Sequence, residues 1–277
     1  MTKGRAFAIH LTASAAVLSI FLGIMWFAWY PAPDFAINGG WTVLRILAGV
    51  DVVLGPLLTL IVFKPGKPSL RFDMSVIVML QVAALAYGGL LIYQQRPAFT
   101  VFAVDRFTAI PAAEVAFEKI RSPELQRRIG IGPLLAEALP PEDPKERNEL
   151  MFAVVMQGAK DLEYRAELYR PYQPDLEQLS RRSLDIARLA SQDDATARGL
   201  ARLLERRGGQ ASDYLYFPLR GKHQDIILVL ARADGQPVGW IDSDPWREPE
   251  PARVGWGERE PGRVRIAYLT PLNRHRR

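Results

Sequence analysis

The chain has 277 residues, 49% of them hydrophobic, with no cysteine and a formal net charge of +5. The missing cysteine excludes a disulfide framework, thiolate metal sites and a cysteine nucleophile. The charge marks no nucleic-acid surface: residues 1–93 hold six Lys/Arg against three Asp, and Arg263, Arg265, Arg274, Arg276 and Arg277 crowd the last fifteen residues, so the intervening stretch is near neutral and lacks a basic, aromatic-rich patch.

Ala6 to Tyr30 is an apolar run broken only by His10 and small hydroxyl residues. At about 1.5 Å per residue it reaches roughly 35 Å, enough to cross a bilayer with some tilt. Trp26, Trp29 and Tyr30 gather at its end, where amphipathic rings settle among headgroups, and Pro31 and Pro33 stop it. The run is longer than a signal-peptide core and no small-x-small cleavage site follows, so it reads as a retained anchor. The pattern predicts a second span over Trp41–Phe63 and a third over about Met74–Tyr93. The N-terminus and the 64–73 connection together carry five Lys/Arg, and the 31–40 connection carries none. Positive residues stay on the cytoplasmic side, which predicts a cytoplasmic N-terminus and delivers residues 94–277 to the periplasm of a Gram-negative inner membrane.

The second span holds an acid. Asp51 lies near mid-membrane, where a carboxylate costs roughly 2.5–3.5 kcal/mol on insertion scales and requires a partner or a proton. Pro56 removes the helical hydrogen bond to the carbonyl of Val52, and Gly49 and Gly55 add notches for close helix approach. Three readings follow. Thr12, Ser14, Ser19 or Gln81 could bond Asp51 and lock the bundle, the Gly49–Pro56 patch could receive another protein's membrane helix, or Asp51 could serve a proton or ion pathway, for which three spans with one acidic residue are a poor basis. Arg45, one turn from Trp41, snorkels to the interface and does not face Asp51.

Beyond the spans, residues 99–110 are rich in β-branched and aromatic residues and read as one strand, interrupted at Asp105 and Arg106 by an edge or a bulge. Asn148 to Lys160 is a helix candidate. Leu176, Leu179, Ile186, Leu189 and Ala190 recur at near-helical spacing, and Asp193/Asp194 can cap a further helix ended by Gly208-Gly209. Tyr214–Leu219, Asp225–Ala233 and Pro237–Asp242 read as strands, the last two joined by a turn at Asp234-Gly235. Pro218 predicts an edge position or a bend for the first of them. The expected fold is a three-helix transmembrane bundle followed by an α+β domain over 96–246 with a small antiparallel sheet. The Pro/Arg-rich stretch 247–277 reads as a disordered tail.

Catalytic patterns are missing. His10, His223 and His275 lack metal-ligand spacing, and there is no phosphate-binding glycine loop or nucleophile elbow. Asp242-Ser-Asp244-Pro-Trp246, and Asp225 beside His223, read as capped turns. No catalytic residue, cofactor or metal is expected.

Several segments in order resemble the type IV pilin accessory proteins: Lys3-Gly-Arg-Ala-Phe-Ala-Ile-His-Leu11, Trp29-Tyr30-Pro31, the stretch Gly49-Val-Asp-Val-Val-Leu-Gly-Pro56 continuing to Lys67, Phe72-Asp73, Val101-Phe-Ala-Val-Asp-Arg-Phe107, and Gly239-Trp-Ile-Asp-Ser-Asp-Pro-Trp246. The resemblance implies an inner-membrane, non-enzymatic, chaperone-like protein. Its expected partners are the membrane helix and periplasmic head of a major type IV pilin, with other pilus assembly proteins and lipid around it and no nucleic acid. Expected contact residues are Arg45, Gly49, Asp51, Gly55, Pro56, Asp105 and Arg106. The alternative readings are a membrane-anchored periplasmic ligand-binding or regulatory subunit of another envelope complex, and a periplasmic hydrolase.

Overall fold

The computed structural model describes residues 2–127 and 132–246; the expected tail at 247–277 lies outside the described residues. Helix α1, Lys3–Ile24, is capped by the Thr2 hydroxyl and continues as a wider turn over Met25–Trp29. A short α2, Asp34–Ile37, sits in the first connection. The second span is α3 (Gly40–Ala48), a wide turn (Gly49–Leu54) and α4 (Gly55–Val62), and the third is α5, Leu70–Gln95. These three stretches, Lys3–Trp29, Gly40–Val62 and Leu70–Gln95, are long and apolar enough to cross a membrane. Rings cluster at the end of the bundle nearest the first connection: Trp29 against Tyr93 (centroids 5.2 Å apart) and Phe35 against both Trp26 (5.1 Å) and Trp41 (5.2 Å). There the Tyr30 hydroxyl donates to the Ile92 carbonyl at 2.9 Å.

Directly after α5, strand β1 (Pro97–Ala103) turns at Val104 and Asp105 into β2 (Arg106–Pro111). Residues 99–110 are thus two strands, not one. Val104 adopts a left-handed φ of 58°, and the Asp105 N–H donates to the Ala103 carbonyl at 2.7 Å. A β-branched residue masks that turn from a reading by composition. After α6 (Pro123–Arg127) come β3 (Leu134–Ala138), α7 (Pro144–Gln157), β4 (Tyr169–Pro171), α8 (Leu176–Arg182), α9 (Ile186–Gln192) and α10 (Asp194–Arg207). Strands β5 (Tyr214–Arg220), β6 (Ile226–Ala231) and β7 (Pro237–Ile241) follow.

The sheet is larger than expected and mixed, with seven strands in the order β4-β3-β1-β2-β5-β6-β7. β3 runs parallel to β1 and β5 parallel to β2, because long connections carry the chain back before each. β5 lies inside the sheet, which corrects the edge position expected from Pro218. Its ladder with β2 pairs only Phe107 with Leu219 and Thr108 with Arg220, so it begins after the proline and needs no hydrogen bond from it. Phe102, Phe107 and Phe217 meet edge-on or tilted across one face, at centroid distances of 4.8 to 5.9 Å. On another, Ile186 and Leu203 from the helices pack against Tyr216, Ile227, Val229 and Ile241. Helix α7 follows Asp143, whose carboxylate caps it, and buries none of its residues.

The first connection is held by this domain. Ile37 is 1% exposed and joins the core around Phe107, Leu219 and Ile226. Its carbonyl accepts from the N–H groups of His223 (2.9 Å) and Gln224 (3.2 Å), and Asn38 Oδ1 accepts from the Lys222 N–H at 3.2 Å. Lys222 Nζ also donates to Gln95 Oε1 at 2.5 Å, tying the same loop to the end of α5. Gly39 takes a left-handed φ of 83° with the His223 ring pressed against it, leaving no room for a side chain.

Candidate functional site

The wide turn in the second span changes the hydrogen-bond register. The Gly55 N–H donates to the Val50 carbonyl, five residues back. In that register the next donor would be Pro56, toward the Asp51 carbonyl, and proline has no N–H. The orphaned carbonyl is therefore that of Asp51, one residue before the Val52 carbonyl that an ordinary α-helix would free.

Gln81 of α5 fills the vacancy: its Nε2 donates to the Asp51 carbonyl at 3.3 Å. That fixes the amide, so Gln81 Oε1 faces His10 of α1 and accepts from His10 Nε2 at 2.7 Å. In a neutral imidazole the other nitrogen is then an acceptor, and the Thr59 hydroxyl of α4 lies 2.5 Å from His10 Nδ1. Thr59, His10, Gln81 and Asp51 form one directional chain that ties all three spans together. Gly55 permits it, since a side chain there would collide with the Gln81 amide. Gly49, by contrast, would meet nothing within 4 Å.

Asp51 is only 7% exposed. Beside it a cavity of about 180 Å³ opens between α1 and α5, lined by His10, Ser14 and Val17 on one side and Gln81 and Leu85 on the other. Of the other candidate partners for Asp51, Thr12 and Ser19 bond carbonyls of their own helix, those of Ala8 and Ala15, and Ser14 shares the cavity. Arg45 is exposed and donates to the Trp41 carbonyl at 3.2 Å, away from Asp51. His10, the hub, was read from sequence only as an interruption. The signal that finds it is the general pairing of polar residues inside membrane spans, with Thr59 and Gln81 as candidates.

At the other end of the bundle Asp34 is buried, its carboxyl accepting from Asn38 Nδ2 at 3.3 Å. Burial outweighs that bond and pushes its pKa up to about 7. Arg96 stacks over the Tyr93 ring at 3.7 Å and donates to the Tyr93 carbonyl.

Asp105 is exposed in the β1–β2 turn. Arg106 is turned inward: its Nε lies 3.9 Å from the buried carboxylate of Glu163, which also has Arg220 at 3.7 Å. The segment 239–246 is knitted into the domain. Ser243 donates to Asp193 at 2.9 Å and shares a 2.6 Å bond with Thr196, Gln224 bonds Asp242, and the Trp246 indole donates to Asp225 at 2.8 Å. Burial alone would raise the Asp193 pKa, but the bonds from Thr196, Ser243 and the helix backbone hold it at about 2. The second oxygen of Asp225 accepts from the Gly221 N–H, so both its oxygens are engaged away from the His223 ring. Among the described residues no group of His, Asp and Glu could hold a metal ion.

Three curated proteins of Dichelobacter nodosus are similar to this chain. It is 32% identical over 114 residues to the fimbrial assembly protein of serogroups C1 and C2, covering 87% of that protein and 40% of this chain. It is 30% identical over 206 residues to the serogroup E1 fimbrial assembly protein, covering 79% of it and 70% of this chain. The serogroup I protein is 29% identical over 183 residues, with 70% of it and 65% of this chain covered. No family model and no solved structure matches the chain.

Proposed function

The chain belongs to the family of fimbrial assembly proteins, and from that premise we propose that it is an inner-membrane accessory protein of type IV pilus biogenesis that handles the major pilin before assembly. A pilin awaiting assembly is a long apolar helix in the membrane with a globular head outside it. The observation that carries the reading is the cavity of about 180 Å³ between α1 and α5, which has room for a side chain of such a helix between apolar walls that include Val17 and Leu85, with Asp51 at its floor. Apolar walls supply packing, and a polar floor in hydrocarbon supplies orientation, because a partner's polar side chain has few other places to bond. Gly49 has open space above it but does not line this cavity. Gly55 and Pro56 act inside the protein, the one admitting Gln81 and the other freeing the carbonyl that Gln81 takes.

In this reading the N-terminus is cytoplasmic and the sheet domain periplasmic, as the distribution of Lys and Arg predicts. The docking of Ile37 into the domain core supports it, since three crossings put the first connection and residues after α5 on one side. The exposed Asp105 turn is then open to the pilin head. The protein acts by binding and not by catalysis. With Asp225 and Asp193 engaged in structural bonds, the 239–246 segment is a fastening.

The test is Asp51→Asn in the natural host, with a photo-crosslinking residue at Val17. Surface pili should fall several-fold at unchanged protein level, and Val17 should capture the pilin's membrane helix. Full piliation with no adduct would overturn the intramembrane part of the proposal.

A further inference from the structure

The two outer strands of the sheet are finished differently. β4 is three residues long and carries Arg170 and Pro171; shortness, charge and proline all keep an edge from pairing with another chain. β7 has a proline only at its first residue, and its register with β6 shifts at that same end, between Val229 and Leu230. The remainder, Val238, Gly239, Trp240 and Ile241, has no charged side chain. Among the described residues its only paired neighbour is β6.

A cavity of about 430 Å³ lies against this stretch, between Val238, Gly239 and Trp240 on one side and Leu203, Arg206 and Arg207 of α10 on the other. Trp240 is 40% exposed. Among the described residues the Arg206 guanidinium bonds only the Arg202 carbonyl of its own helix, and neither arginine forms an ion pair. Among the described residues no carboxylate lines the cavity. The site therefore combines a short run of edge backbone, in which the Ile241 carbonyl already accepts from the Ser243 N–H at 3.0 Å, with an aromatic ring and two cations that form no ion pair among the described residues.

We propose that the free edge of β7 accepts an extended segment of a partner protein as an eighth strand, with an acidic side chain of that segment held by Arg206 and Arg207 and an apolar one against Trp240. Backbone hydrogen bonds along an edge give affinity whatever the sequence, and alternate side chains give selection. Guanidinium groups select carboxylates because their donors match the two oxygens in one plane. The surface is separate from the intramembrane cavity and does not rest on the pilin reading.

The experiment pans a phage-displayed library of short linear peptides on the full chain in neutral-lipid nanodiscs. The recovered peptides should alternate Asp or Glu with β-branched residues. The synthetic peptide should slow amide exchange along β7. Binding should weaken at least about tenfold both with R206E/R207E and when alternate peptide amides are N-methylated. Both arginines are exposed, so exchange in β5 and β6 should be unchanged by their reversal. Recovery of no peptide, indifference to charge reversal or N-methylation, or protection appearing away from β7 would each overturn the proposal.

Discussion

Replacing Gly55 with leucine would drive a side chain into the space of the Gln81 amide, breaking the Thr59–His10–Gln81–Asp51 chain in its middle. Gln81→Leu opens the same chain without a steric clash, leaving the Asp51 carbonyl and His10 Nε2 unpaired. We expect Gln81→Leu to cost about 1–2 kcal/mol of bundle stability, measured by unfolding in bicelles, and Gly55→Leu to cost more. His10→Leu and Gln81→Leu should not add, since one bond joins them; strict additivity in a double-mutant cycle would dissolve the chain as a unit. Asp34 carries a different kind of prediction. Its folded pKa, about 7, lies above the ordinary carboxyl value of 3.8, so the folded state prefers it protonated. Its contribution is complete below about pH 4 and is lost as pH rises toward 7, a change on the order of 4 kcal/mol for a three-unit shift. The midpoint of unfolding should fall from pH 5 to pH 8, and Asp34→Asn should flatten that dependence.

Two elements hold the parts together, and each hangs on a single residue. The first connection enters the sheet domain through Ile37, and the amides of His223 and Gln224 close over its carbonyl. Ile37→Ala should cost about 2–5 kcal/mol by the usual cavity scale and speed exchange at those two amides. Protection persisting there would mean that the backbone bonds hold the loop without the side chain. Helix α10 starts at Asp193, which caps it by accepting from the Thr196 N–H at 2.9 Å and also receives Ser243. Asp193→Ala should cost about 1 kcal/mol for the lost cap and more for the loosened 239–246 segment. Because its folded pKa is depressed to about 2, the stability Asp193 supplies is present above about pH 4 and lost as pH falls toward 2. This is the reverse of Asp34, so the two acids bracket the pH range from opposite ends.

For the whole molecule, topology is the claim on which the pilus role depends. Compartment reporters fused after Asn38 and after Tyr93 should both be active only outside the cytoplasm, and one after Gly66 only inside; any other pattern removes the periplasmic domain from the account. The spans were legible because lipid selects on local composition: a run of apolar residues crosses wherever it is long enough, and its lysines and arginines orient it. The helix cap at Asp193, the turn at Gly235 and the three strands after it or leading to it were legible for the same reason, since each is made by neighbours in the chain. The Asp143 cap was not, and the helix it starts begins at Pro144 and not at Asn148. The β1–β2 hairpin was hidden because Val104 does not look like a turn residue. The parallel pairings of β3 with β1 and of β5 with β2 join segments more than thirty residues apart, which no local pattern specifies. The candidate site divides along the same line. Asp51, Pro56 and the glycines stand out as anomalies in an apolar run, so sequence alone marks the patch. That Gly55 is filled from within, that the orphaned carbonyl is that of Asp51, that Arg106 turns inward and that Ile37 belongs to another domain's core were decided only when distant segments met, because each depends on which partner arrives and at what register.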